Sequence, residues 1–207
     1  MTVKIWGRMN SANLKKATWC AQEVGLAYER IDAGGLFGVV REPAFRALNP
    51  NGLVPVLEDG DTVLWESNVI IRYIAAKYGE GTLRIDDPAQ RASAEKWMDW
   101  TLSSVVRPFS DVFWGTVRTR ASERDHRKIE AGIAACTTAL AIADAELQRQ
   151  PWLSGEKFGI GDMPLGVIAY GWFGMTIERP DLPALKAWYQ RLTERVAYRN
   201  TVMIPLT

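Results

Sequence analysis

The sequence predicts an α/β domain of order βαβαββα followed by an all-helical domain. Over residues 1–80 the spacing of apolar residues switches repeatedly between the strand period of two and the helical period. Over residues 88–207 helical spacing recurs with no convincing strand between. Around residues 79–88 two glycines, three acidic residues and a proline cluster where periodicity lapses, which sets a linker at 81–87.

Val3, Lys4, Ile5 and Trp6 alternate as a short strand. Leu14, Ala17, Thr18, Ala21 and Val24 then share one helical face, and Gly25 ends that helix. Residues 28–31 supply a second strand almost at once, so the two strands are read as a parallel pair joined by a right-handed crossover. Glycines at 34, 35 and 38 loosen the next stretch, and residues 44–48 suit a short helix. Residues 54–57 and 62–65 read as antiparallel strands separated by Glu58-Asp59-Gly60-Asp61, whose Asp-Gly pair signals a hairpin. From Ser67 the pattern is helical, with Ile71, Ile74, Ala75 and Tyr78 on one stripe. Further helical spacing covers 88–118, 124–149, 163–178 and 183–195.

Composition narrows the chemistry. The 207 residues carry 25 Lys plus Arg against 24 Asp plus Glu, a net charge of +1, so no single-sign field favours a nucleic acid. His126, Cys20 and Cys136 are too few and too scattered for a metal cluster or a redox pair. No apolar run reaches the length of a membrane span and the first residues lack the pattern of a signal peptide, so the chain reads as cytoplasmic with free thiols. A reactive group supplied by a bound small molecule fits this inventory.

Three local features carry candidate chemistry. Ser11, within Asn10-Ser11-Ala12-Asn13, sits where the first strand gives way to a helix. It reads either as an ordinary N-cap or as a hydroxyl that, with the helix end, faces an anion. Pro55 follows Val54 at the start of a strand, where a residue without an N–H belongs at an edge or a special turn. Glu66 and Ser67 open the third helix. Either Ser67 caps that helix and Glu66 is merely exposed, or together they hold an amino-acid zwitterion, carboxylate to ammonium and hydroxyl to carboxylate. Lys15 and Lys16 in the first helix read as a solvated face or as anion ligands. Nine tryptophans stand out, of which Trp97, Trp100, Trp114 and Trp172 belong either to the core or to a substrate cleft.

The βαβαββα order, Ser11 at the exit of the first strand, Asn49-Pro50-Asn51-Gly52-Leu53-Val54-Pro55, Glu66-Ser67 and the helical second domain resemble the soluble glutathione S-transferases over essentially the whole chain. The likeness is to the bacterial serine-type branch, which includes theta-, beta- and nu-like enzymes. It implies a thioredoxin-like domain over 1–80 and an all-α domain over 88–207 that bears the hydrophobic co-substrate site. It also implies glutathione as co-substrate without a metal, a small hydrophobic electrophile, a cytoplasmic homodimer, and neither nucleic-acid nor membrane binding.

Residue by residue, the resemblance implies that Leu53 and Val54, ahead of a cis Pro55, meet the cysteinyl part of glutathione, while Glu66 and Ser67 hold its γ-glutamyl head. Ser11 would donate to the sulfur, with Asn13 in reserve. Asp99 would reach the ammonium of glutathione in the partner subunit. Arg107, Phe109, Phe113 and Trp114 would form the co-substrate wall. Serine-type relatives often carry histidine in the Asn-Pro-x-His segment, where this chain has Gly52, so recognition of the glycine carboxylate falls to Arg41, Lys15 or Lys16. Residues 158–162 resemble the family's capping box, with Gly159 in place of the hydroxyl residue. Two other functions remain in view: glutathione-dependent reduction of disulfides or peroxides, and a binding or scaffold protein that has lost catalysis. Ser11-Ala12-Asn13-Leu14 stands where a thioredoxin-like domain would ordinarily carry Cys-x-x-Cys, so a two-cysteine cycle is excluded there.

Overall fold

The computed structural model describes residues 2–207. It divides into two compact units: the chain up to Asp86 together with Asn200–Ile204, and Asp87–Arg199 together with Pro205–Thr207. The return of residues 200–204 to the first unit is not legible as a pattern, because five residues give no period.

The first unit runs β1 (Val3–Trp6), α1 (Ala12–Glu23), β2 (Tyr28–Ile31), α2 (Pro43–Leu48), β3 (Val56–Asp59), β4 (Thr62–Trp65) and α3 (Ser67–Tyr78). The sheet order is β2-β1-β3-β4, with β1 parallel to β2 and antiparallel to β3, and β3 antiparallel to β4. Val3 and Ile5 point into the core, as the alternation requires, and Val56 and Leu57 of central β3 are both fully buried. The hairpin is tighter than predicted. Pro55 has no N–H for the ladder, so β3 starts at Val56 and continues through Glu58 and Asp59, which pair with Val63 and Thr62 across a turn holding Gly60 at φ 62°. Glu58 also accepts a 2.6 Å bond from the indole of Trp6. α1 and α3 pack side by side, with the Cys20 thiol donating to the Ile71 carbonyl and Ile70, Ile71 and Ile74 fully buried. Ala33, Phe45 and Val56 form a second small core, on which Trp6 stands edge-on to Phe45 at 5.9 Å.

The second unit contains α4 (Pro88–Trp100), α5 (Val106–Phe113), α6 (His126–Leu147), α7 (Met163–Gly174) and α8 (Pro183–Thr193); α9 (Val196–Thr201), not predicted from sequence, crosses the division between units. The helical run at 88–118 is continuous but opens into wide π turns at Thr101–Val105 and Trp114–Arg118. Pro108 offers no N–H to the turn before it, which loosens the hydrogen bonding there. α7 stops at Gly174, short of the predicted 178. Trp97 and Trp172 are core residues, Trp100 is half-buried edge-on to Trp97 at 5.2 Å, and Trp114 is 56% exposed. Among the described residues no helix is long and apolar enough to cross a membrane.

Two buried carboxylates tie these helices together. Asp144 of α6 accepts from Leu185 N in the first turn of α8 at 2.8 Å. Asp162 accepts from Gly159 N, Leu153 N, Ser154 N and the Trp188 indole at 3.1, 2.8, 3.3 and 2.8 Å. Gly159 has no side chain to return the reciprocal bond. Ser154 fills its place: a Cβ on Gly159 would lie 2.9 Å from the Ser154 hydroxyl, and that hydroxyl accepts from Gly161 N at 3.0 Å. Pro164 falls in the first turn of α7, where a missing N–H costs no helical bond. Asp162→Ala strands several buried donors at once and is expected to cost about 3–5 kcal/mol, measured by urea denaturation.

Candidate functional site

Strand directions decide which helix ends meet. β1 and β4 each run antiparallel to β3, so they point the same way, and α1 and α3 leave them from one edge of the sheet. The hydroxyl of Ser11, itself buried, caps α1 by accepting from Leu14 N at 3.4 Å. This capping uses a lone pair and leaves the hydroxyl hydrogen available to an acceptor beyond the helix.

At α3 the capping alternative for Ser67 does not hold. Ser67 is the first helical residue rather than the cap; the cap position belongs to Glu66, held at φ 70° with its side chain exposed. Freed from capping, Ser67 Oγ donates to Asn13 Oδ1 at 3.3 Å and accepts from Lys16 Nζ at 3.4 Å. Asn13, Lys16, Ser67 and Glu66 thus form one cluster at the paired helix ends, with Ser11 at the cap of the first.

The solvated-face reading of Lys15 and Lys16 is overturned, since they are 7% and 3% exposed. Lys15 Nζ donates to the Val202 carbonyl at 3.0 Å, in the segment that returns to this unit. Burial lowers both amines to about 8, with the charge of Glu66 partly offsetting it at Lys16. Sequence reasoning missed Lys16 as a member of the cluster. The sequence carries no signal for it: the apolar residues of α1 define one face, whereas in the structure every residue from Leu14 to Ala21 is buried.

Before β3, Asn49 organises the loop. Its amide donates to the Leu53 carbonyl at 2.8 Å, and its Oδ1 accepts from Asn51 N at 3.0 Å. The Val54–Pro55 peptide is cis, Pro55 is buried and Leu53 is 64% exposed. Arg41 is exposed in the loop before α2.

In the second unit Asp99 and Arg107 are exposed on α4 and α5. Phe109 lies against α7, where a Cβ on Gly171 would come within 2.6 Å of its ring. Its ring stands 5.8 Å from that of Phe113. Sequence reasoning missed Arg118, whose guanidinium lies 4.4 Å over Trp114 and 5.3 Å from the Phe113 ring. Its spacing of one helical turn from Trp114 was the available signal. Cys20 and Cys136 are free and buried, and burial pushes both thiols up, Cys136 to about 12. Neither has the character of a reactive thiolate.

Residues 1–76 match the family "Glutathione S-transferase, N-terminal domain" and residues 94–195 the family "Glutathione S-transferase, C-terminal domain". The chain is 45% identical over 207 residues to glutathione S-transferase GstB of Escherichia coli strain K12, covering 99% of this chain and 100% of that one. The chain belongs to the glutathione S-transferase family. It is also 32% identical to glutathione S-transferase 3 of Zea mays, over 99% of this chain and 95% of that protein. A theta class glutathione S-transferase from Xanthomonas axonopodis pv. citri, solved with glutathione bound, superposes with a TM-score of 0.96 at 54% identity, covering 100% of this chain and 99% of that one.

The absence of histidine from the Asn-Pro-x-Gly segment of this glutathione transferase has a backbone reason. Gly52 sits at φ 63°, and a Cβ there would lie 2.8 Å from the Val40 carbonyl oxygen. Gly52→Ala is expected to cost about 1–3 kcal/mol in a urea melt. The buried lysines give a second expectation. An amine held near pH 8 in the fold binds fewer protons there than in the unfolded chain, where the lysine value is about 10.4. Between these values the unfolded state binds the excess, so this contribution to stability rises with pH. Lys15→Met should therefore show a smaller gain in unfolding free energy between about pH 7.5 and 9.5 than the parent protein, by urea denaturation at both.

Proposed function

We propose that this glutathione transferase binds glutathione along the first unit, stabilises its sulfur as the thiolate and delivers it to a small hydrophobic electrophile. The observation that carries the reading is the meeting of two helix N-termini through Asn13, Lys16 and Ser67, beside the Ser11 cap. Helix N-termini favour anions, and the reading gives them two, the sulfur and the γ-glutamyl carboxylate.

The roles follow from what each side chain has to offer. Ser11 donates its remaining hydrogen to the sulfur. A thiol near 8.5 is only a few per cent ionised at neutral pH, so lowering it by roughly two units supplies about 2.7 kcal/mol to the reactive form. Asn13, already engaged with Ser67, serves as a tie between the helices. The backbone of Leu53 and Val54, beside Pro55, pairs with the cysteinyl residue. Ser67 receives the γ-glutamyl carboxylate and exposed Glu66 its ammonium. In the second unit Phe109, Phe113 and Trp114 offer apolar rings to the electrophile, with Arg107 at their margin. The attack forms a C–S bond between thiolate and electrophilic carbon and expels a leaving group with its electron pair, or adds to a polarised double bond. The resemblance further carries a cytoplasmic homodimer in which Asp99 meets the ammonium of glutathione in the partner subunit. The high-lying thiols of Cys20 and Cys136 favour transfer over a redox cycle run by the protein's own sulfur.

Ser11→Ala is expected to raise the midpoint of thiolate absorbance of bound glutathione by about two pH units and to cut kcat/KM for chlorodinitrobenzene at neutral pH by more than about tenfold. Asn13→Ala should leave the midpoint in place. A shift in Asn13→Ala alone transfers the sulfur to Asn13, and no shift in either variant overturns the mechanism.

A further inference from the structure

Lys16 is 3% exposed, yet an amine is among the most costly groups to bury. Among the described residues its one hydrogen bond runs to the neutral hydroxyl of Ser67 at 3.4 Å. The carboxylate whose charge acts on it is that of Glu66, which precedes Ser67 at the start of α3 and is exposed to solvent. A methionine would fill the same volume without the desolvation cost. The ammonium therefore wants an anion, and two of its three N–H donors remain for one.

The bond to Ser67 also has a direction. An ammonium only donates, so it occupies a lone pair on Ser67 Oγ and leaves the hydroxyl its single hydrogen to give away. That hydrogen goes to Asn13 Oδ1 at 3.3 Å. Asn13 is exposed, so the acceptor can be exchanged for an arriving carboxylate while Lys16 keeps the hydroxyl in its donor orientation. Charge in a poorly hydrated position is weakly screened, so it acts strongly on an anion one hydroxyl away.

We propose that Lys16 is a positioning residue of the glutathione site, holding Ser67 as a donor and supplying buried positive charge behind the α-carboxylate of the γ-glutamyl group. The inference rests on the reading of Ser67 as the carboxylate ligand. Lys16 works on recognition and leaves the sulfur to the α1 cap, so its loss separates affinity from turnover.

The test measures KM for glutathione and kcat with saturating chlorodinitrobenzene in the parent protein, Lys16→Met, Lys16→Arg, Ser67→Ala and the Lys16→Met/Ser67→Ala double variant. Loss of a charge-assisted contact is expected to raise KM in Lys16→Met by roughly tenfold with kcat within about twofold of the parent, and Lys16→Arg recovers most of the affinity. The double variant loses less than the sum of the single losses, because one side chain acts through the other. With 4-aminobutyryl-cysteinylglycine, which lacks the α-carboxylate, the parent and Lys16→Met bind alike. If Lys16→Met does not fold, Lys16→Gln keeps a donor without the charge, and glutathione affinity unchanged in it overturns the proposal. So does an equal loss with the carboxylate-free analogue, or full additivity with Ser67→Ala. A parent protein that binds no glutathione overturns the proposed function itself; one that binds it with indifference to residue 16 overturns only the role of Lys16.

Discussion

The site depends on a constraint of direction. β1 and β4 each run antiparallel to β3, so the helices that follow them start on the same side of the sheet and lie parallel. Parallel neighbours bring like ends together, here two positive ends, each with unpaired N–H groups. The arrangement is unfavourable in itself and becomes useful in the presence of anions. Ser11 quiets part of one end by capping, while Glu66 at φ 70° spends its side chain on solvent rather than on capping the other. Ser67, one residue further on, is thereby released from helix termination and can bridge to Asn13 and Lys16.

That bridging explains why some of the site was legible in the sequence and some was not. Ser11 could be read because a capping residue between a strand and a helix is a local signal, and its Leu14 bond obeys it. The same logic offers Ser67 as a cap beside its reading as a ligand, and the capping alternative fails because Glu66, at φ 70°, takes the cap position and leaves Ser67 as the first helical residue. β3 starts two residues beyond the predicted position for a related reason: Pro55, inside the predicted span, cannot donate to the ladder. Where local rules decide, as for β1, β2 and β4, the predicted spans coincide with the observed ones.

Lys15 and Lys16 mark the limit of reading by periodicity. A helix with one buried stripe leaves lysines in water, and the apolar residues of α1 do define such a stripe. Yet α1 is covered by α3 on one side and approached by residues 200–204 on another, a segment almost two hundred positions along the chain, where the Val202 carbonyl receives Lys15. No window of sequence contains both partners. The same limit applies to Asp144, which reaches Leu185 forty-one positions along the chain.

The scarcity of histidine and reactive cysteine acquires its meaning at this point. Both cysteines are buried with thiols held well above neutrality, so the protein's own sulfur is unsuited to attack. A thiol brought in from solution is ionised most readily where positive ends of dipoles converge, and it is held most firmly where its own charged groups find fixed partners. Ser67 follows Glu66, whose carboxylate is exposed, and bonds to Lys16, whose ammonium is buried, a pair of charges that complements an amino-acid zwitterion in reversed sign. The exposed member is screened by water and salt, the buried one much less. On the proposed reading of these residues as a clamp, discrimination leans on the carboxylate of the ligand more than on its ammonium.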